Sequence, residues 1–443
     1  MIQPPSLAHS PRVIQLGRNF GKIKKRTTIV VQTPYSPWLD DPTPNPQILN
    51  FVKNRIWLAY RPNMKNLLIP FLATFSGLAF ANEIPKVLPI ASPLPEFSLP
   101  GIDGKTHTEK TYADKKILCI IFTSNHCPDS VAAASRMEQI HQDYKDKGVA
   151  VVAVSSNNPI ALRPDELGYS PYGDSFEEMK PFAESHGWTL PYLYDAKDQK
   201  FATACGAQST PHVFVFDAER KLRYTGRMDD AARASGPVEK SYLRNAFDAL
   251  LAAKEIEEPV TRSFGCSTKW LSKAESVVNE QKAWEQMPVT LDELDEALAK
   301  KIRENKSGNV RVINFWSTTC GPCVAEFPEL VDTYRRFQNR TVDFISISMD
   351  PIEQKAKVQK FLESRHAALS KRTKPSMEKE GRTSNNYIWS GKNADKLAEA
   401  IHPEWTGALP LTIIISPEGK ILWSHSEQID VVQLRTQILK GLK

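Results

Sequence analysis

The stretch WSTTCGPCVAE, residues 316–326, places two cysteines three positions apart directly after the apolar run Val310–Trp316. The apolar run predicts a buried strand, and the residues from Pro322 onward predict an amphipathic helix. Cys320 would then lie at the helix N-terminus, where the helix dipole and free N–H groups stabilise a thiolate. Pro322 suits a first helical turn, because no N–H donor is needed there. Cys323 would lie one turn further, close enough to attack a mixed disulfide at Cys320.

Two other interpretations of this cysteine pair are weaker. A zinc site needs about four ligands, and no second cysteine pair or histidine pair stands at a suitable spacing. A structural disulfide across two intervening residues would remove little entropy from the unfolded chain. The pair is therefore predicted to be a dithiol/disulfide centre, and we expect neither a cofactor nor a metal.

The chain repeats this pattern. Cys127, like Cys320, follows a strand-like apolar run, here KILCIIF, and precedes a helical segment. Further along, PHVFVFDAERKLRY begins at Pro211 and PLTIIISPEGKILW begins at Pro410. An internal duplication explains both matches. Each copy is predicted as β-α-β-α-β-β-α, which indicates an α/β protein whose sheets are covered by helices.

Length and charge limit the remaining possibilities. A chain of 443 residues is too long for one core and suggests two domains. The formal net charge is +6, but residues 1–81 carry ten Lys or Arg and only two Asp, so the rest of the chain is close to neutral. No basic face is implied for the folded part, and we expect no nucleic-acid partner.

The N-terminal segment has two parts. Residues 1–63 are rich in proline and basic residues without sustained periodicity, and are predicted to be a disordered, over-extended start. Residues 64–81 combine Met64-Lys65, the apolar run Leu67–Phe80 and a small-residue cleavage site, which is typical of a secretory signal peptide. We therefore expect a periplasmic or secreted protein without a stable membrane span after cleavage.

Residues 288–443 resemble the TlpA/ResA-like branch of the thioredoxin superfamily, whose members are exported thiol-disulfide oxidoreductases. The stretch FWSTTCGPCVAEFPEL carries the resemblance. It implies that Cys320 is the nucleophile, Cys323 the resolving thiol, Glu326 a carboxyl that handles protons, and Pro410 a cis-proline facing the disulfide. The partners it implies are protein disulfide or dithiol substrates and a membrane or exported thiol reductant.

Residues 92–258 resemble peroxiredoxin-like redoxin domains of the AhpC/TSA type. The resemblance rests on NHCP, AVSSNNP, DSFEEMKPFA, PYLYD and GAQSTPHVFVFD, with GCSTKW trailing in the connector. It implies an active Cys127 and a cis-proline at Pro211. Together the two resemblances imply an α/β fold class of two tandem thioredoxin-fold domains, each a mixed sheet flanked by helices, after the signal peptide.

Ser130 occupies the position that matches Cys323, so the first domain is predicted to be a one-cysteine domain. A resolving thiol would have to come from Cys266 or Cys205. Cys119, in the middle of a strand, is predicted to be a small core residue.

Three functions stay open at this stage. The first is a thiol-disulfide oxidoreductase that uses the CGPC centre. The second is a thiol peroxidase centred on Cys127, with CGPC as its reductant, although Ile120 and Ser124 replace the Pro and Thr of the usual peroxidatic motif. The third makes the first domain a non-catalytic module that binds a client.

The connector between the two copies, residues 259–287, is polar and predicted to be a linker. Directly after it, Thr290 and Glu293 have the spacing of a capping box, which predicts that a helix opens there.

Overall fold

A computed structural model describes residues 84–231 and 237–443. The predictions for residues 1–63 and for the signal peptide at 64–81 lie outside the described residues. All of the described residues belong to one compact unit.

The first half of the described chain is built around a mixed five-stranded sheet. Its elements are, in chain order, β1 (Ser98–Pro100), β2 (Thr106–Thr108), β3 (Ile117–Thr123), α1 (Pro128–Tyr144), β4 (Val149–Ser155), α2 (Phe176–Ser185), β5 (Tyr192–Tyr194), α3 (Lys200–Cys205), β6 (Ser209–Thr210), β7 (His212–Phe216), β8 (Leu222–Gly226) and α4 (Tyr242–Leu251). The sheet order is β5-β4-β3-β7-β8, in which β3, β4 and β5 are parallel, β7 is antiparallel to β3, and β8 is antiparallel to β7.

The second half repeats this arrangement with one more strand. Its elements are β9 (Cys266–Ser267) and α5 (Ala274–Glu285) in the connector, then β10 (Asp292–Leu294), α6 (Glu296–Glu304), β11 (Val310–Trp316), α7 (Gly321–Phe337), β12 (Val342–Ser348), α8 (Lys355–Ser364), α9 (Lys374–Glu378), β13 (Asn386–Trp389), α10 (Ala394–Ile401), β14 (Leu411–Ile415), β15 (Ile421–His425) and α11 (Val431–Gly441). The sheet order is β10-β13-β12-β11-β14-β15.

The central strands β3 and β11 correspond in the two halves. Every residue of both strands is buried, because helices cover both faces of each sheet. Alternate side chains of β3 enter two separate apolar clusters: Cys119 lies in one, and Phe122 lies in the other. The predicted fold class, two tandem thioredoxin-fold domains of α/β type, is confirmed.

The connector is structured rather than a plain linker. Strand β9 pairs antiparallel with β6, and Thr268 Oγ1 donates a hydrogen bond to the Ala207 carbonyl at 2.7 Å. At its other end, Trp284 of α5 donates to the His366 carbonyl at 3.0 Å. The connector therefore begins attached to the first half and ends attached to the second.

The predicted helix start at Thr290 is wrong. Residues Asp292–Leu294 form the edge strand β10, which pairs with β13. Helix α6 begins four residues after β10 begins, at Glu296, and its N-cap is Asp295, whose side chain accepts a hydrogen bond from the Leu298 N–H. Pairing with β13 decided the conformation of this segment over the local capping signal.

The two halves also contact each other directly. Arg340, just beyond α7, donates to the Gly168 carbonyl at 2.6 Å and lies over the Tyr169 ring at 4.4 Å. Asn339 donates to the Asp165 carboxylate at 2.9 Å. Across the described ranges, no helix combines the length and apolar character needed to cross a bilayer.

Candidate active sites

The CGPC turn joins the end of β11 to the start of α7. Cys320 is the N-cap of this helix and forms a disulfide with Cys323. The Cys323 N–H points at Cys320 Sγ, at 3.3 Å. Cys320 is half-buried whereas Cys323 is fully buried, so an external thiol can reach Cys320 and not Cys323.

Asp350 fixes the loop that precedes this disulfide. Its carboxylate accepts hydrogen bonds from both the N–H and the hydroxyl of Thr318, and from Ser348 Oγ at 2.8 Å. Burial acts to raise the pKa of Asp350, but these hydrogen bonds outweigh it and the pKa is lowered. Sequence reasoning missed this role of Asp350. Strands β11 and β12 are parallel, so Asp350, two residues after the end of β12, lies at the same end of the sheet as the CGPC turn after β11.

Glu326 lies buried one turn after Cys323 on α7. Its two carboxylate oxygens accept hydrogen bonds from the Ile429 N–H at 2.9 Å and from Asn314 Nδ2 at 3.2 Å. Burial raises the pKa of Glu326, and these two donors and the charge of His425 only partly oppose it. Residues three apart on a helix share a face, so the side chains of Cys323 and Glu326 project to the same side.

Pro410 follows a cis peptide bond with Leu409 and is buried. The next residue, Leu411, pairs with Phe315 at the end of β11. This register brings Pro410 to the sheet edge where the CGPC turn begins. Leu409 and Cys320 both pack against the same apolar cluster of the second half.

Cys127 has the same position in the first half, but a different exposure. It is the N-cap of α1 and is fully buried. Its N–H donates to Ser124 Oγ at 3.3 Å, and its Sγ lies 3.1 Å from the carbonyl oxygen of Thr210. Thr210 precedes Pro211 through a cis peptide bond, as Leu409 precedes Pro410.

The structure brings Cys266 to Cys127. Thr210 pairs with Cys266 across β6 and β9, and the Sγ atoms of the two cysteines lie within 4.8 Å of each other and of an Asp129 carboxylate oxygen. Burial acts to raise the pKa of Cys127, but hydrogen bonding from Cys266, the charge of His126 and backbone donors lower it to about 6. The pKa of Cys266 is raised, first by its hydrogen bond to Cys127 and then by burial.

Cys205 and Cys119 lie elsewhere. Cys205 is fully buried in the apolar cluster that also holds Phe201 and Phe122, and burial raises its pKa. Cys119 is in the cluster on the other face of the sheet, and burial also raises its pKa. Of the two predicted resolving thiols, only Cys266 is adjacent to Cys127.

His126 and Asp174 form a buried ion pair beside Cys127. His126 Nδ1 lies 2.8 Å from Asp174 Oδ2, and Asp174 also accepts hydrogen bonds from Asn157 Nδ2 at 2.9 Å and the Asn125 N–H at 2.8 Å. Burial disfavours both charges, but their mutual attraction outweighs it, so the pKa of His126 is raised and that of Asp174 is lowered. Sequence reasoning missed Asp174, which opens the stretch DSFEEMKPFA.

Two thioredoxin-fold sheets, one of them carrying a disulfide at the start of its central helix, define an enzyme of the thiol-disulfide oxidoreductase class. The AhpC/TSA family model matches residues 90–225 and, a second time, residues 290–424. The chain therefore belongs to the AhpC/TSA family.

Curated relatives and solved structures are similar to parts of the chain. The thiol-disulfide oxidoreductase ResA of Geobacillus thermodenitrificans is 25% identical over 166 residues, which is 37% of this chain and 85% of that protein. ResA of Bacillus subtilis is 25% identical over 134 residues, 29% of this chain and 60% of that protein. A hypothetical protein from Sinorhizobium meliloti 1021 is 33% identical, with 42% of this chain and 98% of the other covered and a TM-score of 0.38.

Proposed function

We propose that the protein is an exported thiol-disulfide oxidoreductase that works through Cys320 and Cys323. The observation that carries this proposal is the asymmetry of the pair, in which a half-buried N-cap cysteine is bonded to a fully buried cysteine one turn along the helix. Only one sulfur can then meet a protein partner, and the other can resolve the intermediate without leaving the core. The cis-proline Pro410 and the carboxyl of Glu326 complete the site.

The proposed reaction is two successive thiol-disulfide exchanges. In the reduced form, the Cys320 thiolate attacks a substrate disulfide, a mixed disulfide forms, and one substrate thiolate leaves. Cys323 then loses its proton and attacks the Cys320 sulfur, which releases the second substrate thiolate and forms the Cys320–Cys323 disulfide. Glu326 accepts and returns the proton of Cys323, because its raised pKa brings it closer to neutral pH. The reverse sequence oxidises a substrate dithiol.

The finer parts of the proposal concern location and domain roles. Residues 64–81 would direct export, so the enzyme would work in the periplasm or outside the cell, with a membrane or exported dithiol as its reductant. The domain at 288–443 would perform the exchange on protein substrates. The domain at 92–258 would be a redoxin domain with its own cysteine site.

Substitution of each cysteine tests the main proposal. Reduction of insulin disulfides should be lost in both Cys320→Ser and Cys323→Ser, whereas Cys205→Ala, a matched control at a core cysteine, should keep it. Cys323→Ser should in addition accumulate a stable mixed disulfide with substrate at Cys320. Insulin reduction that persists in Cys320→Ser would contradict the proposal.

A second candidate function is a thiol peroxidase centred on Cys127, with Cys320 and Cys323 as its reductant. The lowered pKa of Cys127 favours it, because the thiolate is the nucleophile that attacks a peroxide. Loss of peroxide consumption in Cys127→Ser would support it. Peroxide consumption that is unchanged in Cys127→Ser would contradict it. If, in addition, the wild-type protein alkylated at Cys127 still binds a client protein, the first domain acts as a binding module.

A further inference from the structure

We propose that Cys127 and Cys266 form a second dithiol–disulfide centre, in which a substrate thiol attacks Cys266 and Cys127 is the leaving group. This inference goes beyond the proposed function, which needs only Cys320 and Cys323. It also replaces the one-cysteine interpretation of the first domain, because the second sulfur comes from the connector rather than from α1.

The place of Cys266 is built into the backbone. Strand β9 is held against β6 by the pairing of Cys266 with Thr210, and Lys269 N–H donates to Asn157 Oδ1 at 2.8 Å just beyond it. Gly265 has a φ of 150°, and a Cβ there would collide with the Thr210 carbonyl oxygen. A glycine before Cys266 is therefore what allows the connector to approach β6 so closely.

Exposure assigns the two sulfurs different roles. Cys127 is fully buried, whereas Cys266 is half-buried. This order is the reverse of that in the CGPC centre, where the N-cap cysteine Cys320 is the more exposed partner. A thiol that approaches an oxidised Cys127–Cys266 pair from solvent therefore reaches Cys266 first.

Electrostatics favours the same direction of attack. Thiol-disulfide exchange is faster when the departing thiolate is the more stable one. The departing Cys127 thiolate would be stabilised by the N-terminus of α1 and by His126, whose pKa is raised by Asp174. The pKa of Cys266 is instead raised, because its hydrogen bond to Cys127, burial, and the negative charges of Cys127 and Asp129 outweigh the positive charge of Lys269.

A substrate thiolate attacks Cys266 Sγ, the Cys127–Cys266 bond breaks, and Cys127 leaves as a thiolate. The second thiolate of the substrate dithiol then attacks the substrate sulfur of the mixed disulfide, which forms a substrate disulfide and releases Cys266, which takes up a proton. Two electrons pass from the substrate dithiol to the pair. A disulfide on a second protein reoxidises it by the reverse steps.

Pairing is tested in the full chain with Cys320→Ser and Cys323→Ser, so that the result does not depend on the proposed function. After treatment with oxidised glutathione, tryptic mass mapping should show a Cys127–Cys266 cross-link that dithiothreitol removes. Cys205→Ala in the same background is the control and should leave the cross-link unchanged. Free thiols at both positions after oxidation would overturn the proposal. So would a metal ion retained through these thiols and Asp129, measured by elemental analysis.

The direction of attack is tested on the oxidised pair. Reduced glutathione is added briefly, and free thiols are then blocked with N-ethylmaleimide in denaturant, which exposes the buried Cys127, before mass mapping. The species with glutathione on Cys266 and maleimide on Cys127 should be at least about tenfold more abundant than the species with the two labels exchanged. The reverse assignment would overturn the proposed roles. Asp174→Asn and, separately, His126→Gln should each reduce this preference, which a purely structural role for the ion pair would not do.

Discussion

His126 Nδ1 lies 2.8 Å from Asp174 Oδ2, and both side chains are almost completely buried next to Cys127. Burial of an ion pair is costly, because both charges lose their hydration, and further hydrogen bonds are needed to offset this cost. Asp174 accepts such hydrogen bonds from the backbone N–H groups of Asn125 and His126 and from the side-chain amide of Asn157. The pair thus favours a positive charge on His126, next to the sulfur of Cys127.

The first prediction concerns that charge. In the Cys320→Ser/Cys323→Ser background, Asp174→Asn should raise the pKa of Cys127 from about 6 towards its ordinary value. The thiolate fraction and the rate of iodoacetamide labelling at neutral pH should then fall by about tenfold. The rate is measured against pH, with Cys266, Asp129 and Lys269 unchanged, because these are the other ionisable groups near the thiol.

His126→Gln should shift the same pH profile in the same direction, which guards against a folding defect in Asp174→Asn. The matched control is Asp146→Asn, an exposed acid beyond the end of α1, which should leave the profile unchanged. A labelling profile that stays the same in both site variants contradicts this account of Cys127.

The second prediction concerns Glu326. Its folded-state pKa is raised, so the folded protein holds this proton more tightly than the unfolded chain does. The stabilising contribution is present at low pH and is lost as pH rises through the folded pKa. Glutamine does not titrate, so Glu326→Gln does not lose stability in this way. The free energy of unfolding of the variant minus that of the wild type should therefore be larger at pH 8 than at pH 4.5.

Urea unfolding at the two pH values measures this difference, and Glu404→Gln, an exposed acid, is the control without a pH-dependent effect. Insulin reduction by Glu326→Gln should fall by about tenfold or more at neutral pH, since the substitution removes the proposed acceptor of the Cys323 proton. A variant that is both fully active and unchanged in its pH dependence of stability would remove Glu326 from the mechanism.

The third prediction concerns Asp350. Asp350→Ala leaves the N–H and hydroxyl of Thr318 without their acceptor, and should lower the free energy of unfolding by about 2 kcal/mol. Because the pKa of Asp350 is lowered, its stabilisation is present at neutral pH and is lost as pH falls through the folded pKa. The deficit of the variant relative to wild type should therefore shrink in acid. Glu353→Ala, exposed nearby, is the control.

Much of the fold follows from patterns that the sequence carries locally. Strands β3 and β11 are continuous apolar runs, and helices α1 and α7 begin directly after their cysteines, at Pro128 and at the glycine before Pro322. Buried central strands and proline at a helix start are strong signals. The short edge strand β10 was missed, because three residues carry little pattern and pairing with β13 alone defines it.

The site was only partly predictable for a similar reason. The CGPC pair is visible because its two cysteines are neighbours in sequence, whereas Cys127 and Cys266 are far apart and meet only through the pairing of β6 with β9. Asp174 reaches His126 from a loop that follows β4 by many residues. No periodicity reports such contacts, because they depend on how loops return over the sheet edge.

The fourth prediction concerns the contact between the two halves. Arg340→Ala removes a hydrogen bond to the Gly168 carbonyl and the stacking of the guanidinium over Tyr169. We expect the free energy of unfolding to fall by about 1–2 kcal/mol. The thermal transition should also become less cooperative, because the two cores would unfold more independently. Calorimetry measures the ratio of calorimetric to van't Hoff enthalpy. Lys371→Ala, an exposed cation, is the control, and an equally cooperative transition in Arg340→Ala would show that this contact does not couple the halves.

The fifth prediction concerns Gly265. Gly265→Ala places a Cβ against the Thr210 carbonyl oxygen and imposes a φ that alanine rarely adopts, so β9 should separate from β6 and carry Cys266 away from Cys127. Cross-linking of the two cysteines by oxidised glutathione should slow by about tenfold or more, because the sulfurs no longer lie within reach of each other. Gly308→Ala is the control, since its φ of 77° is also unfavourable for alanine but nothing lies close to the added Cβ. If cross-linking proceeds at the wild-type rate in Gly265→Ala, the close approach of the connector is not what brings the two thiols together.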